Sequence, residues 1–422
     1  MSLLIKNARL IDPVNNIDSE SDIFIENGFV SEIGTIDKLA DKIIDAKGMV
    51  VAPGLVDMHV HLRDPGFTHK EDIITGCNAA VAGGVTSVLA MPNTQPVTDN
   101  VEVVKYILDK AKFAKAKVYV AAAITKGLES QEPTDIKELA NTGVIALSDD
   151  GRPVENTQLM ANAMIQAPQN GMCVVAHCED LYLAKGGKIN EGTISKTLGV
   201  KGIPAAAEDT GTAREIALAA AYNVPIHICH VSTKTSVALI RDAKRRGVKV
   251  TAETAPHYFS LTDNALLARD ADFRMNPPLR CEEDMNAIIE GLCDGTLDAI
   301  ATDHAPHSIE EKADFEGAPN GSIGMETSLS VGITYLVDKN ILTLPQLIEK
   351  MSSNPAKILN INAGNLSVGS NADIVIFNPN EEYTVDTEKL HGKSKNTPFK
   401  GMKLKGKVKY TIVNGEIVYS DQ

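Results

Sequence analysis

Hydrophobic and polar residues alternate in short runs at both ends of this chain and in longer strand–helix units through its middle. The runs at the ends predict short strands over 3–10, 21–26, 30–33, 372–377, 408–413 and 416–419. Asn27-Gly28 and Asn414-Gly415 are hairpin signals between two pairs of these strands. We predict that residues 1–52 and 362–422 pair into one small β-sandwich domain, because each end alone is too short to hold a core.

The middle of the chain, residues 53–361, alternates apolar strand candidates with helical patterns such as Asn100 to Lys115. Eight strand candidates end at His61, Asn93, Thr125, Asp150, Glu179, Ser232, His257 and His307. Eight strand–helix units in about 300 residues match a (β/α)8 TIM barrel. The sequence therefore predicts an α/β protein, a TIM barrel with a flanking β domain. Its active site is expected at the C-terminal ends of the strands, where the polar residues lie.

The first barrel strand carries the most informative chemistry, in the run Asp57-Met58-His59-Val60-His61-Leu62-Arg63. Side chains alternate faces along a strand, so His59, His61 and Arg63 are expected on one face together with Asp57. Two imidazoles aligned on one face form half of a metal site. An arginine beside them adds a guanidinium group that can bind an anion through two hydrogen bonds. The pattern indicates hydrolysis or condensation of a carboxylated substrate.

Four other strand ends offer further ligands for a metal. They are Asp149 and Asp150 on strand four, His177 on strand five, His230 on strand six and Asp303 on strand eight. Histidine and carboxylate ligands suit zinc, and five or six of them fit two ions that share a hydroxide. The pattern alone does not separate Asp149 from Asp150. Asp303 either caps the next loop or acts as a general base. His227, three residues before His230, is expected to be structural.

Composition narrows the classes of partner and the compartment. The formal net charge of -14 gives no basic footprint for nucleic acid, although it does not exclude an anionic substrate bound by local cations. No run is long enough for a membrane span, and no secretory signal is evident. The six cysteines form no C-x-x-C pair and are expected to be reduced thiols. We expect a cytoplasmic enzyme that acts on a small molecule.

Two stretches resemble the signature motifs of dihydroorotases, which belong to the amidohydrolase superfamily. They are Asp57-Met58-His59-Val60-His61-Leu62-Arg63-Asp64-Pro65 and Ala301-Thr302-Asp303-His304-Ala305-Pro306-His307, the second followed by Lys312. Met91-Pro92-Asn93-Thr94 and Asn396-Thr397-Pro398-Phe399-Lys400-Gly401 are similar to the family too. The resemblance covers essentially the whole chain and is nearest to the longer bacterial type, class I.

The resemblance implies reversible closure of N-carbamoyl-L-aspartate to (S)-dihydroorotate with loss of water, a step of pyrimidine synthesis. It implies two zinc ions held by His59, His61, Asp150, His177, His230 and Asp303, with Asp150 chosen by its spacing to His177. It implies substrate contacts from His61, Arg63, Asn93, Asn276, His307, Asn320 and Gly321. In the implied mechanism a zinc-activated hydroxide attacks the ring amide, and Asp303 shuttles the proton.

The loop after Lys312 departs from the family. The run Pro319-Asn320-Gly321 stands where the family often has Pro-Phe-Gly. Asn320 and Gly321 are therefore either substrate contacts or part of a mobile surface loop. The segment Ser308 to Gly321, which follows the catalytic aspartate, is a candidate lid.

Two alternatives remain open. The first is another cyclic amidase of the same superfamily, such as a hydantoinase or allantoinase. Those enzymes commonly bridge their metals with a carbamylated lysine, and residues 141–156 contain no lysine. Arg63 also fits a carboxylated substrate better than a hydantoin. A non-catalytic dihydroorotase-like scaffold subunit would have lost ligands, which this chain retains. The resemblance suggests a homodimer and leaves open an association with aspartate transcarbamoylase.

Overall fold

The structure, a computed structural model, describes residues 2–421. Its strands in chain order are β1 (Ser2–Asp12), β2 (Ile17–Glu26), β3 (Phe29–Gly34), β4 (Lys42–Asp45), β5 (Val50–Pro53), β6 (Leu55–Val60), β7 (Val85–Ala90), β8 (Lys117–Ala122), β9 (Ala146–Leu147), β10 (Cys173–Ala176), β11 (Ile189–Asn190), β12 (Gly202–Ile203), β13 (Ile226–Ile228), β14 (Val250–Thr254), β15 (Ala299–Ile300), β16 (Ile374–Thr384), β17 (Lys403–Val413) and β18 (Glu416–Ser420).

The α-helices connect and cover these strands. They are α1 (Ile73–Ala82), α2 (Val101–Ala111), α3 (Ile136–Ala140), α4 (Thr157–Gln169), α5 (Leu181–Ala184), α6 (Thr193–Leu198), α7 (Ala206–Tyr222), α8 (Lys234–Arg245), α9 (Pro256–Ser260), α10 (Glu282–Cys293), α11 (Ser328–Gly332), α12 (Leu344–Ile348) and α13 (Asn354–Ile358). Side-chain caps begin several of them: Asn100 accepts hydrogen bonds at the start of α2, and Thr233 does so at the start of α8. Among residues 2–421, no helix has both the length and the apolar character needed to cross a membrane.

The two chain ends join in one eight-stranded sheet, in the order β18-β17-β16-β5-β1-β2-β3 with β4 beside β1. Antiparallel pairing of β16 with β5 unites the ends. Leu3 and Ile23 from the N-terminal part share a buried cluster with Ile374 and Ile412 from the C-terminal part. The prediction that both ends form one β unit is confirmed. Its description as a sandwich and its boundaries at residues 52 and 362 stay predictions.

Both predicted hairpin turns are present. Asn27 and Gly28 have φ of 52° and 87°, and Asn414 and Gly415 have φ of 49° and 77°. Positive φ at both central positions is the geometry of a tight hairpin, which asparagine and glycine adopt at little cost. The two turns touch: a Cβ on Gly28 would lie 2.9 Å from the carbonyl oxygen of Asn414. A larger residue at Gly28 would push the two chain ends apart.

The remaining long sheet is the predicted barrel, with eight parallel strands in the order β15-β14-β13-β10-β9-β8-β7-β6. A bridge between Val60 and His304 joins the first strand to the segment after the last one. Val56, Met58, Leu89, Val175 and Cys229 fill the interior, as in a packed barrel core. The strands end between one and seven residues before the predicted ends, because the chain leaves the sheet early to build the loops that carry the polar residues.

Candidate metal centre and active site

The six predicted metal ligands meet at the C-terminal end of the barrel, and all are buried. They are His59, His61, Asp150, His177, His230 and Asp303. His59 is the only one of them within a strand; the other five follow β6, β9, β10, β13 and β15 by one to three residues. The C-terminal ends of parallel strands share one edge of a barrel, which is why ligands up to 244 positions apart come together.

Asp150 lies at the centre of this cluster. Its Oδ1 lies 3.2 Å from His59 Nε2, 3.7 Å from His177 Nδ1 and 3.8 Å from His230 Nε2. Its Oδ2 lies 3.5 Å from His61 Nε2. Among the six predicted ligands, atoms within 4.8 Å of one another form two groups, one of His59, His61 and Asp150 and the other of Asp150, His177 and His230. Asp150 therefore belongs to both groups.

The donor atoms of this cluster fit a metal cation. His59 Nε2 and Asp150 Oδ1 are buried and make no hydrogen bond with any part of residues 2–421. His177 Nδ1 and His230 Nε2 face each other at 2.9 Å, and each can offer a lone pair. Buried polar atoms in proteins nearly always have partners, so the two unpartnered atoms of His59 and Asp150 indicate a site for a bound ion.

The electrostatics of the cluster favour added positive charge. Burial, the largest influence on His59, would lower its pKa, but Asp150 and Cys229 together raise it well above its usual value. Burial would raise the pKa of Asp150, yet His59 and His230 hold it well below its usual range. Burial, the largest influence on Asp303, would raise its pKa, but the neighbouring His61, His59 and His230 together lower it. The carboxylates are thus held ionised, as ligands to a cation must be.

Three of the predicted site residues have a backbone conformation that only glycine and asparagine adopt readily. The φ angles are 59° at Arg63, 34° at His230 and 49° at Asp303. Such a conformation costs on the order of 1–3 kcal/mol at each residue and is concentrated at functional sites, where the surrounding structure enforces it. It turns each of these side chains out of the direction that strand alternation would give.

The expectation that one strand face aligns Asp57, His59, His61 and Arg63 is therefore wrong in part. The strand β6 ends at Val60, so the following turn places His61 and Arg63. Asp57 points away from the cluster and accepts hydrogen bonds from the backbone N–H of Thr302 at 3.0 Å and from its hydroxyl at 2.5 Å. Asp57 fixes the last barrel strand against the first.

The tertiary structure separates Asp149 from Asp150. Asp149 accepts hydrogen bonds from the backbone N–H groups of Ile124 at 2.7 Å and Thr125 at 3.1 Å, and from the Thr125 hydroxyl. Both of its carboxylate oxygens are used in holding the loop after β8. Only Asp150 faces the histidines.

Carboxylates behind the ligands were not predicted from the sequence. Glu253 on β14 is buried, and its Oε1 accepts a hydrogen bond from His59 Nδ1 at 3.0 Å. Its Oε2 lies 3.2 Å from Nε2 of His227, whose Nδ1 contacts the Thr251 hydroxyl. His227 is structural, as expected, and it holds Glu253. A single glutamate in the strand Val250–Thr254 is the signal that could have indicated it.

Two further side chains support the ligand rings. Asn93 accepts a hydrogen bond from His61 Nδ1 at 2.8 Å and donates one to Asp150 at 3.3 Å. Glu179 lies 3.6 Å from His177 Nε2 and accepts a hydrogen bond from Asn276 at 3.3 Å. Ligating histidines typically give their second ring nitrogen to such partners. The sequence did not indicate Glu179.

A cavity of about 270 Å³ opens above the cluster. It is lined by His61, Arg63, Asn93, Asp150, Gly151, His177, His230, Asn276, Asp303, Ala305, His307, Asn320 and Gly321. Every residue that the sequence placed in contact with substrate is among them. The structure thus brings together all of the predicted site, with His59 directly behind the cavity.

One end of this cavity is lined by Arg63 and His307, with Lys70 behind His307 and paired with Glu311 at 2.9 Å. Arg63 donates through Nε to the carbonyl oxygen of Pro306 at 3.2 Å, and burial lowers its pKa only to about 10, so it stays charged. Lys70 donates to His307 Nδ1 at 3.3 Å, which leaves Nε2–H of His307 to donate to the carbonyl of Asn320 at 2.9 Å. Burial and the charges of Arg63 and Lys70 lower the pKa of His307 to about 3, so its ring is neutral. The sequence did not indicate Lys70.

The chain is similar to several known proteins. A family model described as the amidohydrolase family matches residues 50–418. A relative named dihydroorotase from Geobacter metallireducens is 52% identical over 423 residues, which cover 99% of this chain and 100% of the relative. Another protein of that name, from Acetivibrio thermocellus, is also 52% identical, with 100% of this chain and 99% of the relative covered.

Solved structures of similar fold carry different names. An L-hydantoinase (dihydropyrimidinase) from Arthrobacter aurescens has a TM-score of 0.88 at 27% identity, covering 99% of this chain and 96% of that chain. A D-hydantoinase has a TM-score of 0.87 at 26% identity, covering 100% of this chain and 96% of that chain. These proteins share the barrel and flanking sheet with this chain at about half the sequence identity of the dihydroorotases.

Proposed function

This chain belongs to the amidohydrolase family, and we propose that it is a dihydroorotase, which interconverts N-carbamoyl-L-aspartate and (S)-dihydroorotate. The observation that carries the proposal is that Arg63 and the ligand cluster around Asp150 line the same cavity. A site for a carboxylated cyclic amide needs a cation that binds the carboxylate and a metal-ligand cluster beside the amide. The 52% identity to dihydroorotases over the whole chain supports the same activity.

We propose a pair of zinc ions as the cofactor, with Asp150 as a ligand available to both. His59, His61 and Asp303 would complete one ligand set, and His177 and His230 would complete the other. A divalent ion of this kind supplies Lewis acidity, which polarises a carbonyl and lowers the pKa of water to about 7. Histidine and carboxylate donors suit zinc, and the shared carboxylate supports two ions over one.

The protein's own groups bind the substrate and move the proton. Arg63 pairs with the substrate carboxylate, and Asn93, Asn276, His307, Asn320 and Gly321 surround it. As the ring opens, Asp303, held ionised, takes a proton from the attacking water and gives it to the ring nitrogen that leaves the carbonyl carbon. In the closing direction Asp303 removes the proton from the ureido nitrogen and gives it to the departing hydroxyl, which leaves as water.

Two features support this activity over a hydantoinase. Asp150 occupies the shared-ligand position, and residues 141–156 contain no lysine that could be carbamylated there. Arg63 supplies a positive charge, and a neutral hydantoin has no carboxylate to pair with it. The complete ligand set likewise argues against a non-catalytic scaffold. A homodimer and an association with aspartate transcarbamoylase stay predictions.

The test compares substrates and one variant in zinc-loaded enzyme. Wild type should close N-carbamoyl-L-aspartate and should not hydrolyse unsubstituted hydantoin at a comparable rate. Arg63→Met removes charge-assisted hydrogen bonds of about 1.5–3 kcal/mol each, so kcat/KM for N-carbamoyl-L-aspartate should fall at least about a hundredfold. Arg245→Met, at an exposed ion pair with Asp242, is the matched control and should leave kcat/KM unchanged. Faster turnover of hydantoin by wild type would reject the dihydroorotase assignment.

A further inference from the structure

A buried ammonium group lies directly behind one wall of the cavity. Lys312 is only 8% exposed, and its Nζ donates to three backbone carbonyl oxygens: those of Arg274 at 3.3 Å, Pro319 at 3.1 Å and Gly321 at 3.0 Å. Within residues 2–421, no carboxylate oxygen lies within 4.0 Å of this nitrogen. The group is thus held by backbone alone.

A buried charge without an ion-pair partner is costly and needs dipoles to offset the cost. Burial lowers the pKa of Lys312 to about 8, which shows how incompletely the site compensates the charge. A surface lysine would avoid this cost entirely. The carbonyls that compensate it come from the loop after β14 and from the segment Phe315 to Gly321, here called the wall segment. Lys312 therefore ties the wall segment to that loop.

A second buried cation holds the wall segment from its other side. Arg274 donates through Nη1 to the carbonyl oxygens of Phe315 at 2.6 Å and Glu316 at 3.1 Å. Its Nη2 donates to the side-chain oxygen of Asn320 at 3.0 Å. The backbone N–H of Gly321 donates back to the Arg274 carbonyl at 2.9 Å. Five cation–oxygen contacts to the wall segment result, two from Lys312 and three from Arg274.

The wall segment in turn holds the His307 ring beside Arg63 at one end of the cavity. The carbonyl of Asn320 accepts the Nε2–H of His307, so a displaced wall would displace the ring beside Arg63. Gly321 has a φ of 139°, and a Cβ there would lie 2.8 Å from Ala305 and 3.0 Å from His307 Nε2. The wall therefore packs against His307 without room for even a methyl group.

We propose that Lys312, with Arg274 as its partner, is a positioning residue that fixes the wall segment and His307 for recognition of the substrate carboxylate. The wall is then a preformed surface, in place of the lid that its sequence suggested. This inference rests on the proposed function for its ligand, N-carbamoyl-L-aspartate. A misplacement of about 1 Å in such a surface can cost about a hundredfold in rate or affinity.

The kinetic test uses Lys312→Met in the zinc-loaded, full-length enzyme, because methionine fills the space without the charge. The KM for N-carbamoyl-L-aspartate should rise at least tenfold while kcat stays within about threefold of wild type. Lys188→Met is the matched control, since the half-exposed Lys188 also donates to a wall carbonyl, that of Glu316 at 2.7 Å, but from the outer surface. The control should leave KM unchanged. An unchanged KM in Lys312→Met would overturn the proposal.

A measurement on wild type keeps the proposal testable if Lys312→Met does not fold, and it needs no activity. Hydrogen exchange of the backbone amides in the wall segment should be slow without substrate and should change little when N-carbamoyl-L-aspartate binds. In Arg274→Met the same amides should exchange faster, while those of the barrel strands do not. Fast exchange in wild type that slows only on binding would identify a lid and overturn the proposal. If wild type does not catalyse ring closure, the proposed function is rejected. The exchange measurement would still test whether the wall segment is preformed.

Discussion

Glu253 offers the sharpest test of how the barrel supports its metal centre. Glu253→Leu would remove both acceptor oxygens, the one 3.0 Å from His59 Nδ1 and the one 3.2 Å from His227 Nε2, while roughly preserving volume in the barrel. A hydrogen bond to a charged group contributes about 1.5–3 kcal/mol. Loss of such a partner behind a ligating histidine typically costs tenfold to a hundredfold in metal affinity. We expect that loss for the ion bound by His59.

A second carboxylate provides the comparison. Glu179 lies 3.6 Å from His177 Nε2, beyond normal hydrogen-bond distance, whereas Glu253 is within it. Glu179→Gln should therefore weaken metal binding by less than Glu253→Leu. Glu253→Gln should fall between them, because its amide oxygen can still accept from His59 Nδ1.

The assay is metal content at a series of buffered free zinc concentrations, measured by mass spectrometry on each purified variant. Circular dichroism establishes that the variants are folded. In the proposed two-zinc centre, the ion held by His59 should be released from Glu253→Leu at tenfold to a hundredfold higher free zinc than from wild type. Wild-type zinc affinity in Glu253→Leu would refute the orienting role, and an equal loss in Glu179→Gln would refute the argument from distance.

Two other predictions concern the proton shuttle and pH. Asp303→Ala should lower turnover by at least a hundredfold and leave much of the metal bound, since five ligands remain; near-normal turnover would show that Asp303 is not the shuttle. Burial raises the pKa of Glu71 from 4.5 to about 7. Between these pH values the folded protein keeps a carboxyl proton that the unfolded chain releases. The free energy of unfolding therefore falls as pH rises from about 4.5 through about 7. Glu71→Gln should abolish this loss, so denaturant titrations should show the variant gaining about 3 kcal/mol relative to wild type between pH 4 and pH 8; a difference that does not vary with pH would contradict the prediction.

The sequence determined the architecture and most of the site. Its apolar runs predicted a barrel because each strand–helix unit repeats one pattern, and polar residues at strand ends must meet where parallel strands end. Its two hairpin signals located the turns between β2 and β3 and between β17 and β18, since few residues other than asparagine and glycine accept positive φ. Chemistry at the strand ends likewise indicated a metal, because histidine and carboxylate side chains have few other reasons to converge.

The tertiary structure decided which side chains contact each other. Asp149 and Asp150 are neighbours in sequence, and only the packing of the loop after β8 assigns one to the backbone and the other to the histidines. Glu253 lies 194 positions from His59, and the wall segment is held by Arg274, more than forty positions earlier. Local patterns specify the face of a strand, whereas contacts between distant segments depend on register and loop packing, which a sequence read one window at a time does not contain.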